Sequence, residues 1–396
     1  MCLAQIFLFA GAWRLSGCVS RPLPRALLRC LLAAACLVSL ASGAASLSMR
    51  VSPGKVLPAP VLAASRLWLF ASFSGLLAVI MVWAAAKTAA HVMPAARRRD
   101  FDPSRRRFLR YSVTVAGSAP FLAAAYGYGS RLEYRIRRVQ APVAHLPEKL
   151  DGLRIAQLSD IHTGAFMPLE DVRRAVVMAN RLHPDLIVVT GDFISQVGDP
   201  LEDCIRELGR LSAPLGVWGC NGNHEEYAGV EHLSQVLFQR YGMRLLRHEN
   251  AEIHWRGAGF NMIGVDYQGQ ATPETRMLSG LEPLVRRDMP NILLSHNPNS
   301  FYRAAGMGIE LMLAGHTHGG QIRIAGDVLN PARLYTDFVE GMYHLALGED
   351  PSAYGAVRPG PRAATLYVNR GLGTIWIPVR LGVPPEITLL TLRQAV

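Results

Sequence analysis

Five times between residues 153 and 320, a short apolar run ends in a turn that carries Asp, His or Asn, most often beside glycine. LRIAQL (153–158) leads into Ser159-Asp160-Ile161-His162, and LIVVT (186–190) into Gly191-Asp192. LGVWG (215–219) leads into Gly222-Asn223-His224-Glu225, NILLS (291–295) into His296, and the 309–314 run into Gly315-His316-Thr317-His318-Gly319-Gly320. Apolar runs this short, bounded by turn residues, suit buried strands. In α/β sheets, ligand sites assemble beyond the carboxyl ends of the strands. The chain therefore needs a fold that gathers five strand ends at one edge.

Three further runs read as strands: 260–265 (FNMIGV), 364–368 (ATLYV) and 386–392 (EITLLTL). Between the early runs, residues 169–182 place Leu169, Val172, Val176, Ala179 and Leu182 on one helical face, and 200–211 and 230–241 behave alike. Strands alternating with helices imply layered α/β with a largely buried sheet.

The residue types at the strand ends define a chemistry. Two carboxylates, an amide oxygen and several imidazoles, without thiolate, suit Mn, Fe, Zn or a similar divalent ion. Seven donors exceed the needs of one ion and suit a pair, the arrangement that serves in-line displacement at phosphorus. Glycines beside the donors permit tight turns and close backbone approach.

The ordered blocks D-x-H, G-D, G-N-H-E, S-H and G-H-x-H resemble the calcineurin-like metallophosphoesterases over residues 150–396. The wording SDIHTG, GNHE, SHNP and AGHTHGGQ, with Gly371-Leu372-Gly373, Arg380 and Pro385-Glu386-Ile387 in the tail, is similar to the bacterial membrane-associated branch. That branch includes relatives of UDP-2,3-diacylglucosamine hydrolase. The resemblance implies a four-layer α/β/β/α sandwich and a dinuclear centre. It implies that Asp160, His162, Asp192 and His318 hold one metal. Asp192, Asn223, His296 and His316 hold the other, so that Asp192 bridges and the two histidines of AGHTHGG serve different ions. His224 is implied to stand beside the pair without ligating, contacting a phosphate oxygen and protonating the leaving group.

Other residues carry weaker signals. Glu225 reads equally as an orienting group or as a plain polar residue. Arg380 reads as a loop-capping residue before a phosphate ligand, and Gln321 as a residue outside the site before one that reaches it. His183, His232, His248, His254 and His344 match no motif and read as structural or surface residues. Cys204 and Cys220 read as buried thiols, with a disulfide as the alternative if this region is exported. The Gly/Pro-rich stretch 348–362 reads as a surface loop.

The N-terminal third differs in kind. Residues 1–150 carry 20 Lys/Arg against 4 Asp/Glu, and the remainder 21 against 26, so the net charge of +11 is an N-terminal property. An acidic catalytic region without a basic stripe argues against nucleic acid as a partner. Three apolar runs, 30–49, 67–86 and 111–128, punctuate residues 1–130, and the second is a charge-free stretch of helix-spanning length for a hydrocarbon core of ~30 Å. This defines a membrane region, 1–130, with two or three transmembrane helices. A connector (131–152) and the phosphoesterase domain (153–396) follow.

Eight Lys/Arg between Lys87 and Arg110 keep the loop before the third run on the cytoplasmic side. Within it, Ser104-Arg105-Arg106-Arg107-Phe108-Leu109-Arg110 resembles a twin-arginine export signal. The expected location is a bacterial inner membrane with the catalytic domain outside the cytoplasm. The expected substrate is a phosphorylated small molecule or lipid, lipid-linked or part of the envelope. UDP-2,3-diacylglucosamine pyrophosphate hydrolysis in lipid A synthesis is one alternative, and a non-catalytic scaffold or sensor is another. The first has its substrate on the cytoplasmic side, and the second does not need an intact donor set.

Overall fold

A computed structural model describes residues 5–6, 9–10, 13, 21–47, 57–92, 103–269, 277–324, 326, 328–346 and 363–395. The chain divides into two compact units. One comprises Met1–Gly129 with Trp376–Val379, the other Ser130–Ile375 with Arg380–Val396.

The first unit is helical. Helix α1 spans Pro22–Leu47, α2 Ala59–Val92 and α3 Pro103–Ser130. The segments Pro22–Ala41 and Ala59–Ala89 are long and apolar enough to cross a membrane. The third expected run lies in α3, which carries Pro120 in its interior and the arginine-rich segment in its first turns. A Cβ on Gly75 of α2 would stand 2.8 Å from the carbonyl oxygen of Gly117 in α3. Glycine there lets two helix backbones approach closely.

The second unit contains two six-stranded sheets. Strands β1 (Arg135–Val143), β2 (Arg154–Leu158), β3 (Leu186–Thr190), β4 (Val217–Cys220), β5 (Arg244–Leu245) and β12 (Glu386–Gln394) form the first, in the order β1-β12-β2-β3-β4-β5. Strands β6 (Glu249–Trp255), β7 (Ala258–Gly264), β8 (Asn291–Leu294), β9 (Leu311–Ala314), β10 (Gly341–Ala346) and β11 (Ala363–Val368) form the second, in the order β10-β11-β9-β8-β7-β6. Helices α4 (Leu169–Asn180), α5 (Leu201–Leu208) and α7 (Glu231–Arg240) cover the first sheet, the short α6 (Asn223–Ala228) follows β4, and α8 (Phe301–Met307) covers the second sheet.

Period-2 alternation explains the layering. On β2 and β3, Ala156, Ile187 and Val189 face the helices with Val172, Ile205 and Phe238. Ile155, Leu186 and Val188 face the other sheet, where they join Phe260, Met262, Ile292, Leu294 and Leu313. On the far side, Ile263, Leu293, Met312 and Leu366 pack on Phe301, Ala304 and Ala305. These side chains are fully buried or nearly so, each contributing about 1.5–3 kcal/mol for the larger aliphatics. The α/β/β/α sandwich expected from the sequence is the fold observed.

Residues 135–143, read from the sequence as part of a polar connector, form β1 and pair in parallel with β12 from Arg135↔Glu386 to Val143↔Gln394. Three arginines and an internal Pro142 obscure the strand signal, and an edge position is where a proline can be accommodated. The stretch 348–362 lies outside the described residues.

The parallel strands β2, β3 and β4 of one sheet, and β8 and β9 of the other, end at Asp160, Asp192, Asn223, His296 and His316. Five ends thus supply donors from two sheets.

Candidate metal centre

The turns after these strands are sharply bent. Asp160, His162, Asp192, His316 and His318 all have positive φ, between 48° and 74°. Non-glycine residues rarely adopt this region, and such strain gathers at functional sites. Glycine supplies the remaining space: a Cβ on Gly222 would stand 2.1 Å from Asp192 Oδ1, and one on Gly315 2.3 Å from Asp160 Oδ2.

Ligand atoms of Asp160, His162, Asp192 and His318 lie within 4.8 Å of one another, all buried, and could hold a metal ion. His162 Nε2 faces His318 Nε2 at 3.0 Å and Asp192 Oδ2 at 3.4 Å, and His318 Nε2 lies 3.3 Å from Asp160 Oδ1. Two donors held ~2.1 Å from one ion at a right angle stand roughly 3 Å apart, so these separations fit a shared cation. Alongside, Asp192 Oδ2 lies 3.1 Å from His296 Nε2, and Asn223 Oδ1 lies 2.8 Å from His316 Nδ1. The His296 and His316 rings meet edge to face with centroids 5.1 Å apart.

His296 gives the clearest test of fit. Its Nδ1 donates to the carbonyl of Thr190 at 2.6 Å, which leaves Nε2 as the lone-pair nitrogen. That Nε2 is buried without a hydrogen-bond partner. An imidazole fixed through one nitrogen and bare at the other is the arrangement of a metal-ligating histidine. Burial pushes His316 down to about 3 and His318 well below the usual imidazole range, so both are neutral and ligand-competent at pH 7. Burial opposes charge on His296 too. Asp192 and Asp160 outweigh it and raise the group to about 10, so without a metal Nε2 carries a proton toward Asp192 Oδ2, and a metal ion bound there would displace that proton and use the lone pair.

His224 lies beside this cluster. Its backbone N–H donates to Asp192 Oδ1 at 3.0 Å, and its Nδ1 donates to the carbonyl of Ser195 at 2.5 Å. Its ring packs edge to face on His162 at 4.7 Å between centroids. Burial pushes the imidazole down to about 4.

Glu225 proves to be an organising residue. Its fully buried carboxylate accepts hydrogen bonds from the backbone N–H groups of Asp192 and Phe193 at 2.8 Å, Ile194 at 3.4 Å and Gly222 at 2.8 Å. One side chain therefore fixes the turns after β3 and β4. Glu225→Ala would leave these donors without an acceptor, at ~1–3 kcal/mol for each one fully buried. A fall of several kcal/mol in urea-unfolding stability is expected, with Glu225→Gln intermediate because one acceptor oxygen survives. Equal stability of wild type and Glu225→Ala would remove the clamp from the account.

Arg380 is fully buried. Its guanidinium donates to the carbonyl oxygens of Gly371, Gly373 and His318, tying the GLG turn to the second histidine turn. These bonds give it the loop-holding position expected from the sequence. The Gln321 side chain is held by both backbone groups of Ile375. Cys204 and Cys220 are buried free thiols. Tyr267, which sequence patterns did not single out, stands over the cluster with its ring 5.5 Å from His316 and 6.2 Å from His296. No spacing rule marks it, because it sits in a loop after β7 and reaches the site only through the fold.

Comparison with known proteins is consistent with this geometry. The family profile described as calcineurin-like phosphoesterase matches residues 153–320. An uncharacterized metallophosphoesterase of Aquifex aeolicus is 31% identical over 69% of this chain and 98% of its own length. The chain belongs to the calcineurin-like phosphoesterase family. A bovine transmembrane protein with metallophosphoesterase domain is 32% identical over 66% of this chain, which spans 57% of that relative's length. The UDP-2,3-diacylglucosamine pyrophosphatase of Chlamydia trachomatis is 26% identical, covering 70% of this chain and 95% of the relative.

Proposed function

We propose that the chain is a membrane-anchored phosphoester hydrolase with a dinuclear metal centre. Its substrate is a lipid-linked or envelope phosphate on the outer side of the membrane. The observation that carries the reading is the bare, buried Nε2 of His296 facing Asp192 Oδ2, next to a four-donor cluster that shares the same carboxylate oxygen. Asp160, His162, Asp192 and His318 would hold one divalent ion, and Asp192, Asn223, His296 and His316 the other, with Mn, Fe or Zn matching the donor set. When bound, such a pair supplies Lewis acidity toward phosphate oxygens and makes water nucleophilic at neutral pH.

The residues of the chain do the rest. Glu225 holds the Asp192 and Asn223 turns at fixed separation. The Ser195 carbonyl fixes the proton of His224 on Nδ1, which directs Nε2 toward the cluster. Once the negative charge of a bound phosphate has raised its affinity for a proton, Nε2 takes one up from solvent, donates it in a hydrogen bond to a phosphate oxygen and then passes it to the departing alkoxide.

The likeness to the chlamydial pyrophosphatase favours cleavage of a nucleotide-lipid pyrophosphate as a second reading. The full chain, purified in detergent and supplied with Mn²⁺, should separate the two on phosphomonoesters, phosphodiesters and UDP-diacylglucosamine. Turnover of the last alone would replace the first reading by the second, and no turnover of any would favour a non-catalytic module. Topology bears on the same choice. The basic segment before α3 supports an extracytoplasmic domain. An alkaline phosphatase reporter fused after Val396 should be active, and a cytoplasm-only fluorescent reporter dark. Replacing Arg105-Arg106 by Lys-Lys should block export if the segment acts as a twin-arginine signal.

A further inference from the structure

One group of exposed apolar residues of the α/β unit lies in the chain that follows the second histidine turn. Ile324 and Leu329 pair with each other through both backbone hydrogen bonds, at 3.1 and 3.3 Å, and close a short hairpin. Both side chains are exposed, and Val328 is 80% exposed. A 3-10 turn, Pro331–Leu334, follows, with Leu334 90% exposed and Pro331 and Tyr335 also exposed. Six apolar or aromatic residues within twelve positions thus face outward, where isolated exposed hydrophobics would need no explanation.

The hairpin is fixed to the catalytic turns at its base. Asn330 Nδ2 donates to the carbonyl of Gly319 at 3.2 Å, and a Cβ on Gly320 would collide with Asn330 Oδ1 at 1.9 Å. The Tyr335 ring lies 6.4 Å from that of His316. Asn330 and Tyr335 thus tie this patch to the turn that carries His316 and His318.

We propose that the exposed apolar side chains of Ile324, Val328, Leu329, Leu334 and Tyr335 form a bilayer-docking patch, which enters the headgroup region beside the site and presents the site to phosphates at the lipid surface. The occupant is lipid because the same chain carries two helices of membrane-crossing length, so a bilayer is present at high effective concentration. Burying such exposed apolar side chains at the headgroup–acyl boundary is how interfacial anchors gain their binding. The substrate class that follows is a phosphorylated lipid headgroup. That part of the inference rests on the phosphoesterase reading; the docking part does not.

The test uses the full chain, with Cys2, Cys18, Cys30 and Cys36 replaced by Ser, in nanodiscs of phosphatidylethanolamine and phosphatidylglycerol. Leu334→Cys carries an environment-sensitive nitrobenzoxadiazole label, and Val177→Cys, at an exposed site on α4, serves as control. Lipid doxyl-labelled near the headgroup should quench the label at 334 and leave that at 177 unchanged. Separately, Val328→Asp with Leu334→Asp should slow hydrolysis of a bilayer-embedded phosphorylated lipid by about tenfold or more, given the transfer free energy of two aliphatic side chains. The same variant should leave hydrolysis of soluble bis-p-nitrophenyl phosphate unchanged. An unquenched 334 label overturns the proposal, and if that label is blue-shifted in detergent as well, a protein surface covers the hairpin instead. Quenching with no hydrolysis of either substrate by wild type would leave docking standing and refute the phosphoesterase reading.

Discussion

Asp192→Asn is expected to give the largest single loss of function. One oxygen of this carboxylate faces His162 at 3.4 Å and His296 at 3.1 Å, and the other accepts the backbone N–H of His224. The substitution keeps the shape and removes the charge that both half-sites share. Burial works against ionisation here, but the imidazoles of His296 and His224 hold the group well below the usual carboxylate range, so it is charged at every working pH. Altering even an outer partner of a metal ligand typically costs ~10- to 100-fold in affinity or activity. Loss of a shared ligand should exceed that, with occupancy falling at both sites and turnover falling by more than ~10². Metal analysis of the variant and kcat at saturating Mn²⁺ provide the check. Full occupancy in Asp192→Asn would mean that the carboxylate does not bridge.

His224→Ala is expected to separate chemistry from metal binding. The residue contacts His162 through its ring and Asp192 through its backbone, and the backbone contact survives the substitution. Metal content should stay at the wild-type level. Turnover of esters with poor leaving groups should fall by ~10²–10⁴, the usual contribution of a positioned acid. On p-nitrophenyl esters the loss should be much smaller, because nitrophenolate leaves without a proton. The pH dependence has a defined sign. In the free protein the imidazole sits at about 4 and is neutral at pH 7, and a bound phosphate raises it. For a poor leaving group, kcat should therefore fall as pH rises through the raised value, and this limb should disappear in His224→Ala. Equal losses on both substrate types would make His224 an electrostatic contact only.

Much of the site was legible in the sequence because the donors sit where strands end. The β3, β4, β8 and β9 strands are near-continuous apolar runs, as strands buried on both faces must be, and β2 keeps Ile155, Ala156 and Leu158 between polar residues. The turns after most of them are marked by glycine. What the sequence withholds is long-range. Asp160 and His316 are 156 positions apart, and their approach depends on which strands of two separate sheets come together. The strands β1, β6 and β10 lie at or near sheet edges with mixed burial, so their alternation is weak. Glu225 shows the same limit: its spacing from Asn223 is obvious, yet its main partners are backbone groups of another turn, and backbone groups leave no trace in a residue pattern. Left-handed backbone at Asp160, His162 and Asp192 is equally invisible, since Asp and His are tolerated there only because the surrounding fold fixes them.

We infer that the donors form two metal sites sharing Asp192. The most direct measurement is elemental analysis of the full chain, purified without chelator and equilibrated with Mn²⁺, alongside His316→Ala. Close to two metals per chain are expected in the wild type and close to one in the variant, since the proposed assignment puts His316 in one half-site and leaves Asp160, His162, Asp192 and His318 for the other. One metal per chain in both proteins would contradict it.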